Sequence, residues 1–400
     1  MSSALSLPDA QAQLLALAQP LAVETVAADE ALGRYLAAPL HARRTQPPAD
    51  LSAMDGYALG DTDSHGPWRI IGESAAGHPF DGPVAAGEAV RISTGAILPE
   101  GAQTVLLQED ATREGTTLTL SGDAPVQGRH IRRAGFDFSE GQALRDAGIK
   151  VTPAVLALTL AAGHATLPVR QKPRIVLIDS GDELAADPTQ CARHQIPASN
   201  GPMLQAMLAS LPCTVTRIGP VADTLDALAA ALDAAREADL IVTSGGASVG
   251  DHDLIRPALE AWGAKIAFWR VAMKPGKPLM VARRNTGDSE QLVLGLPGNP
   301  VSSYVTAFLF LLPLVRALLG SGQPLPTQAQ TVVTADLGAG GKRLEFLRGI
   351  WDGNTVIPLS EQDSSGLHAL SVANALIERP AMGAAQAAGS PVRIYRLENG

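Results

Sequence analysis

The spacing of apolar and polar positions changes several times along the chain, and each change marks a boundary. The first ~45 residues read as helical. Pro8-Asp9 opens a run carrying Leu14, Leu15 and Leu17, a short strand fits Val23–Val26, and a second helical run covers Asp29 to Leu36. Pro47-Pro48 breaks that pattern. From about 50 to 138 come short β-type runs separated by Gly and Pro, including Trp68–Ile71, Ala89–Ile92 and Thr104–Leu107. Val151 to Ala162 is helical again, with Pro153 at a tolerated early position. The β-rich stretch therefore reads as an insertion into a helical unit.

From about 173 to 320 strands and helices alternate. Arg174–Asp179, Cys213–Ile218, Asp239–Thr243 and Gln291–Leu296 are short apolar runs, as buried parallel strands are. Pro202–Leu211 and Asp223 to Ala235 have helical spacing, with Asp223 the expected N-cap. Such alternation implies a mainly parallel sheet that binds ligands beyond the carboxyl ends of its strands. The most apolar stretch, Val305 to Leu319, contains Pro313 and Arg316 and is shorter than a membrane span, so it reads as a buried helix. After about 325, the runs Thr331–Thr334, Phe346–Ile350, Val356–Leu359 and Val392–Leu397 predict a small β domain. The expected chain is multidomain α/β plus β. Residues 1–45 and 139–172 form a mostly helical domain, 46–138 an inserted β-rich domain, 173–325 an α/β domain and 326–400 a C-terminal β domain.

A length of 400 residues fits about two to four domains. At 46% hydrophobic and 18% charged residues the chain is not disordered. A formal net charge of −9 opposes non-specific nucleic-acid binding, so no nucleic-acid partner is expected. An anionic small molecule then needs local cations and N–H donors. The two cysteines, Cys191 and Cys213, form no CxxC and fit a reducing compartment. The eight histidines occur singly, which argues against a protein-held zinc or iron centre. No basic segment followed by an apolar core opens the chain, so the expectation is a cytoplasmic protein with no membrane partner.

Candidate chemistry gathers in the α/β stretch. Thr243-Ser244-Gly245-Gly246-Ala247-Ser248-Val249-Gly250-Asp251-His252-Asp253 lies between a strand and a helix. Its Gly245, Gly246 and Gly250 permit an anion cradle of backbone N–H groups, and Asp251 and Asp253 are candidate Mg²⁺ carboxylates; the same pattern also makes an ordinary capped turn. Met273-Lys274-Pro275-Gly276-Lys277-Pro278 sets Lys274 and Lys277 on a stiff turn, suited to a tetrahedral oxyanion or phosphate, and is not a Walker A loop. In Gly295-Leu296-Pro297-Gly298-Asn299-Pro300-Val301-Ser302-Ser303, Asn299 is an N-cap candidate and Pro300 sits at the first helical position, which suits either a second anion seat or an ordinary strand–turn–helix junction. Asp179-Ser180-Gly181-Asp182-Glu183 puts carboxylates at a strand end. Further motifs are Ser52–Ala58, Ser93–Ala96 with Pro99–Ala102, Arg132–Asp137, Gly341–Arg348 and Gln362–Gly366. Together these residues point to a phosphorylated or oxyanionic substrate with Mg²⁺, without naming it.

These motifs, in this order and over essentially the whole chain, resemble the molybdopterin molybdenumtransferase (MoeA) family, also found as the C-terminal domain of gephyrin. The resemblance implies an elongated helical domain in two segments, an inserted β domain, an α/β molybdopterin-binding domain shared in fold with molybdopterin adenylyltransferases, and a C-terminal β barrel. It implies a homodimer with each active site between subunits. It also implies Mg²⁺-dependent insertion of molybdate into adenylylated molybdopterin with release of AMP, and the adenylyltransferase as a possible partner. The ligand supplies the sulfurs, so no cysteine cluster is needed. By the same resemblance Ser248, Lys274, Lys277, Ser302 and Arg343 or Arg348 hold molybdate. Asp253 leads for Mg²⁺ or water activation, with Asp251 and Glu183 as further metal candidates. Asp55, Thr94, Asp137, Glu183, Asp223 and Ser364 match other active-site positions, and Gly245, Gly246, Gly250, Pro297, Gly298, Asn299 and Pro300 form substrate-binding loops.

The chain departs from the family pattern at Ala198-Ser199-Asn200, where the family carries Asp before Ser-Asn or Thr-Asn. It also has Arg270 where some members have lysine, and it lacks a common glycine at Gln362–Ser365. The first change leaves open a non-catalytic molybdopterin-binding or scaffold paralogue, or a tungstate-specific one. Separately, Gly246–Gly250 matches GxSxG, the nucleophile elbow of serine hydrolases, with Asp253 or Asp363 and His368 available to complete a triad.

Overall fold

The structure, a computed structural model, describes residues 4–62, 65–245, 254–287 and 290–397. The opening helix, Leu7–Leu17, starts where the sequence places it: Ser6 accepts from the Asp9 N–H and Pro8 lies in the first turn. The strand Val23–Ala27 pairs antiparallel with Thr166–Arg170, joining the chain before the β insertion to the chain after it. The second helical run expected over Asp29 to Leu36 does not form. Only a 3₁₀ turn at Asp29–Ala31 is present. Gly33 turns to φ +80°, and Tyr35 and Leu36 then bridge to Lys150 and Val169 as extended chain. The segments flanking the insertion are thus less helical than expected, with Pro153–Ala161 their other α-helix.

The insertion is a six-stranded sheet in the order Thr104–Leu107, Gly56–Leu59, Glu88–Ile92, Trp68–Ser74, Thr117–Leu120, Ala111–Glu114. Alternate side chains of Gly56–Leu59 serve opposite faces. Tyr57 and Leu59 pack with Trp68, Leu106 and Leu118, while Ala58 packs with Val90, Ile92 and Val105.

The α/β sheet runs Thr214–Val221, Arg174–Ser180, Leu240–Ser244, Glu290–Leu296, Met280–Asn285, Lys265–Trp269. The first four strands are parallel and the last two antiparallel to their neighbours. Helices cover both faces, so the central strands are apolar throughout. Leu177, Val242 and Leu294 join one core, and Ile178, Ile241 and Val293 join the other. The helix Leu225–Ala234 is capped by Thr224, whose hydroxyl accepts from the Ala227 N–H. Asp223, expected as the cap, lies one residue too early and faces the neighbouring loop instead.

The apolar stretch near 305–319 belongs to one continuous helix, Pro300–Leu318, long and apolar enough by composition to cross a membrane but 83% buried within the fold over its most apolar window. Its middle, Ala307–Leu311, widens to π geometry just before Pro313. Pro313 has no N–H to offer the Leu309 carbonyl one turn back. The buried Gln11 amide supplies that hydrogen bond at 2.9 Å.

The C-terminal strands close into a five-stranded barrel. Leu344–Trp351 pairs with both Thr355–Pro358 and Ala375–Arg379, and Gln328–Val333 and Pro391–Arg396 complete the ring. Ala375–Arg379 was not among the expected strands because two of its residues are charged. Both charges are neutralised inside the fold, Glu378 by Arg393 at 2.7 Å and Arg379 by Glu345. Met273–Lys274 joins the barrel sheet beside Leu344 and Glu345, which ties the lysine turn of the α/β region to the barrel.

Replacing Gln11 by Leu removes the hydrogen bond that its buried side-chain amide donates to the Leu309 carbonyl. The expected loss is about 1–3 kcal/mol. Urea unfolding checks this, and an unchanged midpoint would show that the helix satisfies the carbonyl in another way.

Candidate active site

Three parallel strands end side by side, and their loops bound one cleft. Arg174–Ser180 runs into Gly181-Asp182-Glu183, Leu240–Ser244 into Gly245, and Glu290–Leu296 into Pro297-Gly298-Asn299-Pro300. With Ala198-Ser199-Asn200 they enclose about 820 Å³, walled by apolar side chains such as Leu184, Ile196, Leu254 and Ile255. Asn200 ties the loops together, its amide donating to Ser244 Oγ at 2.8 Å and to the Gly298 carbonyl at 2.7 Å. Gly245 has φ +100°, and a side chain there would press on the Ser180 carbonyl, so the strand end requires glycine.

Asp179 lies at the floor, only 5% exposed. It accepts from the Gly201 N–H, and any Cβ on Gly201 would collide with its Oδ2. Burial pushes the Asp179 carboxyl up to about 6, against the opposing pull of Arg217 and the Gly201 N–H. Beside it the Ser180 hydroxyl is buried and has no hydrogen-bond partner among the described residues. Glu183 and Asp223 stand on the cleft wall. Asp182 and Asp223 lock the two wall loops by exchange, each backbone N–H donating to the other's carboxylate at 3.4 and 3.1 Å.

A second cleft, of about 800 Å³, opens between the lysine turn and the barrel. Lys274, Lys277, Arg343, Ser302 and Ser364 line it. Lys274 Nζ lies 3.7 Å from Glu345, which also pairs with Arg379. Arg343 donates to the Met273 carbonyl at 3.3 Å. Ser302 and Pro278 line both clefts, so the two adjoin.

The residues expected to meet here divide into four groups. Glu183, Asp223, Gly245, Pro297, Gly298, Asn299, Pro300 and Ser302 line the first cleft, and Lys274, Lys277, Arg343 and Ser364 join Ser302 in the second. Arg348 lies in neither. It is 2% exposed, and its guanidinium donates to the carbonyls of Glu361 and Asp363 at 2.7 and 2.9 Å. It braces the loop that carries Ser364 and does not face the cleft. Asp55, Thr94 and Asp137 line neither cleft. Asp55 accepts from the Thr94 N–H at 2.7 Å, which lowers its carboxyl below the usual range, and Asp137 is exposed. Gly246, Ser248, Gly250, Asp251 and Asp253 lie outside the described residues. Asn299 occupies the N-cap position of Pro300–Thr306 but makes no side-chain cap; its amide donates to Ser364 Oγ at 2.9 Å instead.

Sequence reasoning missed the burial of Asp179 and the part played by Gly201. A carboxylate directly after Ile175-Val176-Leu177-Ile178, at the carboxyl end of a buried strand, was the available signal. No cluster of three or more metal-type side chains occurs among the described residues. Glu183 and Asp223 still offer hard oxygen donors, and Mg²⁺ needs only one or two protein carboxylates because it keeps much of its water.

A parallel sheet whose carboxyl ends open into a cleft, beside a cationic pocket against a β barrel, defines a multidomain α/β plus β protein with its candidate site at the strand ends. Three family models match in sequence: the MoeA N-terminal region (domains I and II) over residues 5–163, a probable molybdopterin binding domain over 176–317, and the MoeA C-terminal region (domain IV) over 330–397. A molybdopterin molybdenumtransferase of Haemophilus influenzae is 34% identical over 353 residues, 87% of this chain and 86% of its own. One of Bacillus subtilis is 33% identical over 94% of this chain and 91% of its own. A molybdopterin biosynthesis MoeA protein of Pyrococcus horikoshii shares the fold, with TM-score 0.84 at 24% identity over 98% of this chain and 100% of its own. The chain belongs to the molybdopterin molybdenumtransferase family, enzymes of molybdenum cofactor biosynthesis. Membership in this family removes the serine-hydrolase reading of Gly246–Gly250.

Asp179 holds its proton more tightly in the folded protein than in the unfolded chain, so its ionisation opposes folding as pH rises from about 4 through about 6. Below that window both states are protonated and the effect vanishes. The Asp179→Asn variant is therefore expected to gain in melting temperature relative to wild type between pH 4 and pH 7. Equal differences at the two pH values would show that the carboxyl carries no burial cost.

Proposed function

We propose that the joined clefts take adenylylated molybdopterin and molybdate, and that the protein inserts molybdenum into the dithiolene as the phosphoanhydride is cleaved and AMP leaves. One observation carries this reading: Ser302 and Pro278 belong to both clefts. A ligand lying along the apolar-walled trough thereby reaches an oxyanion in the cationic pocket.

Lys274, Lys277 and Arg343 supply the positive charge there, and the Ser302 and Ser364 hydroxyls supply donors. Lys274 is held on a strand fixed by barrel pairing, so its charge is placed before the substrate arrives. Arg343 is the arginine of the oxyanion seat, and Arg348 positions the loop behind Ser364. The resemblance adds Ser248 to this seat. Glu183 and Asp223 would hold Mg²⁺, with Asp251 and Asp253 joining them by resemblance. Bound Mg²⁺ would neutralise charge on the anhydride phosphates.

Asp55, Thr94 and Asp137 line neither cleft of their own chain, and we assign them to the partner's site in a homodimer whose active sites lie between subunits. The reaction belongs in the cytoplasm, where thiols stay reduced, and Cys191 and Cys213 are both free. A molybdopterin adenylyltransferase supplies the substrate.

The test is AMP release from adenylylated molybdopterin with molybdate, tungstate or neither. Molybdate is expected to accelerate release, and Lys274→Ala or Arg343→Ala to slow the accelerated rate by about 10²–10³-fold. Release indifferent to both oxyanions removes the transferase reading, and release with tungstate alone reassigns the substrate. Full activity in Lys274→Ala would favour the scaffold paralogue.

A further inference from the structure

A further cavity, of about 770 Å³, shares no lining residue with either cleft and lies where three parts of the chain meet. Residues Asp146–Lys150 of the segment after the insertion form one wall, Phe308 and Arg316 of the long helix a second, and Gln328 and Arg396 of the barrel a third. A smaller hollow of about 480 Å³ shares Tyr35, Lys150 and Arg316 with it. The walls are fixed to one another. The Gly322 N–H donates to the Gly148 carbonyl at 3.1 Å, and any side chain on Gly148 would collide with the Gly322 nitrogen.

Charge sets this cavity apart. The chain carries 40 acidic residues against 31 Lys and Arg. Yet the wall holds Lys150, Arg316 and Arg396, and only Asp146 opposes them. Lys150 and Tyr35 are an antiparallel bridge pair, and residues directly opposite each other put their side chains on one face. The Arg316 guanidinium donates to the Tyr35 hydroxyl and, at 3.3 Å, to the Pro324 carbonyl. Lys150 and Arg316 both line the two hollows, so both face the space beside Tyr35. Burial pulls Arg316 down from the usual guanidinium range, with Tyr35 opposing that shift. Lys150 makes no ion pair among the described residues. Like charges facing one space repel each other, and an anion placed between them reverses the sign.

We propose that this cavity binds a small phosphorylated compound, its phosphate held by Lys150 and Arg316 beside Tyr35, with Arg396 completing the seat from the barrel. The volume lies in the range of small-molecule sites. A phosphate carries close to two negative charges on one compact group, which matches paired cations better than the single charge of a carboxylate. The Ser321 and Thr327 hydroxyls of the linker add donors. Lys150, Arg316 and Arg396 belong to three separate parts of the fold, so the bound anion bridges them. It braces the barrel against the helix whose other end carries Ser302. The site stands apart from the transferase reading and does not depend on it.

The test is calorimetric titration of the full-length Lys274→Ala/Arg343→Ala protein, in which the oxyanion seat is disabled, with inorganic pyrophosphate in the absence of divalent metal. Citrate, of similar total charge, is the control. Pyrophosphate is expected to bind at a single site per chain and more tightly than citrate. Lys150→Glu and Arg396→Glu, each added to that background, are expected to weaken it by about tenfold or more, the loss of one hydrogen bond to a charged group. Both residues are exposed, and melting curves without ligand show whether the variants fold. Where the glutamate prevents folding, Lys150→Ala, whose backbone still bridges Tyr35, gives the same reading. Pyrophosphate is also expected to raise the melting temperature of the background protein but not of the version carrying Lys150→Glu. Absence of binding in the background protein overturns the proposal, as does binding left unchanged by either Lys150→Glu or Arg396→Glu. Citrate bound as tightly as pyrophosphate, or more tightly, overturns the phosphate assignment.

Discussion

The Pro300–Leu318 helix is apolar over most of its surface, and such a helix is stable only when most of that surface is covered. That requirement assembles the molecule. Leu7 and Leu14 of the opening helix, Leu177, Val242 and Leu294 of the parallel sheet, and Phe346 and Tyr395 of the barrel share one core with it. Phe308 meets Tyr395 edge-on at 6.1 Å across the junction. The helix leaves the sheet through Asn299-Pro300, so its first turn is fixed where the two clefts join. Fold and site therefore cannot be varied separately: a change that loosens the helix moves Ser302.

The cationic pocket is rigid for a related reason. Lys274 and Glu345 lie opposite each other on paired strands, and Arg379 closes the other side of Glu345. Arg348 is sealed beneath the loop at 361–365 and lowered from the usual guanidinium range by its burial, with Glu361 and Asp363 opposing that shift. Engaging its donors offsets part of the cost of a buried guanidinium. Here Nη1 and Nη2 hold the Asp363 and Glu361 carbonyls and so fix the loop that carries Ser364, while Nε has no hydrogen-bond partner among the described residues. The rule that a conspicuous arginine near an anion pocket touches the anion fails for Arg348 because the barrel wraps around it.

The other cleft holds its own cost in Asp179. A strand end that enters a cleft between glycines gives a carboxylate little water and few donors, and functional sites are where such unpaid local terms collect. Asn200 makes the cleft one unit by binding Ser244 and Gly298 at once.

The period of apolar residues was enough to predict the alternating α/β stretch, the insertion, the barrel-forming runs and the burial of the long helix, because each depends on local spacing and on which faces must be covered. The glycine-rich ends of Arg174–Ser180, Leu240–Ser244 and Glu290–Leu296 were equally legible, since parallel strands always end on one side. Other features depended on partners distant in sequence. Asp29 to Leu36 has helical spacing, yet it lies extended because Tyr35 and Leu36 find partners at Lys150 and Val169. Ala375–Arg379 hides as a strand until Arg393 and Glu345 are seen to neutralise its charges. Arg343 and Arg348 look alike in sequence, five residues apart, and only strand register and barrel closure send one into the cleft and the other into the interior. Local spacing dictates which faces are buried, whereas the partner of a charge is chosen by chain closure in three dimensions.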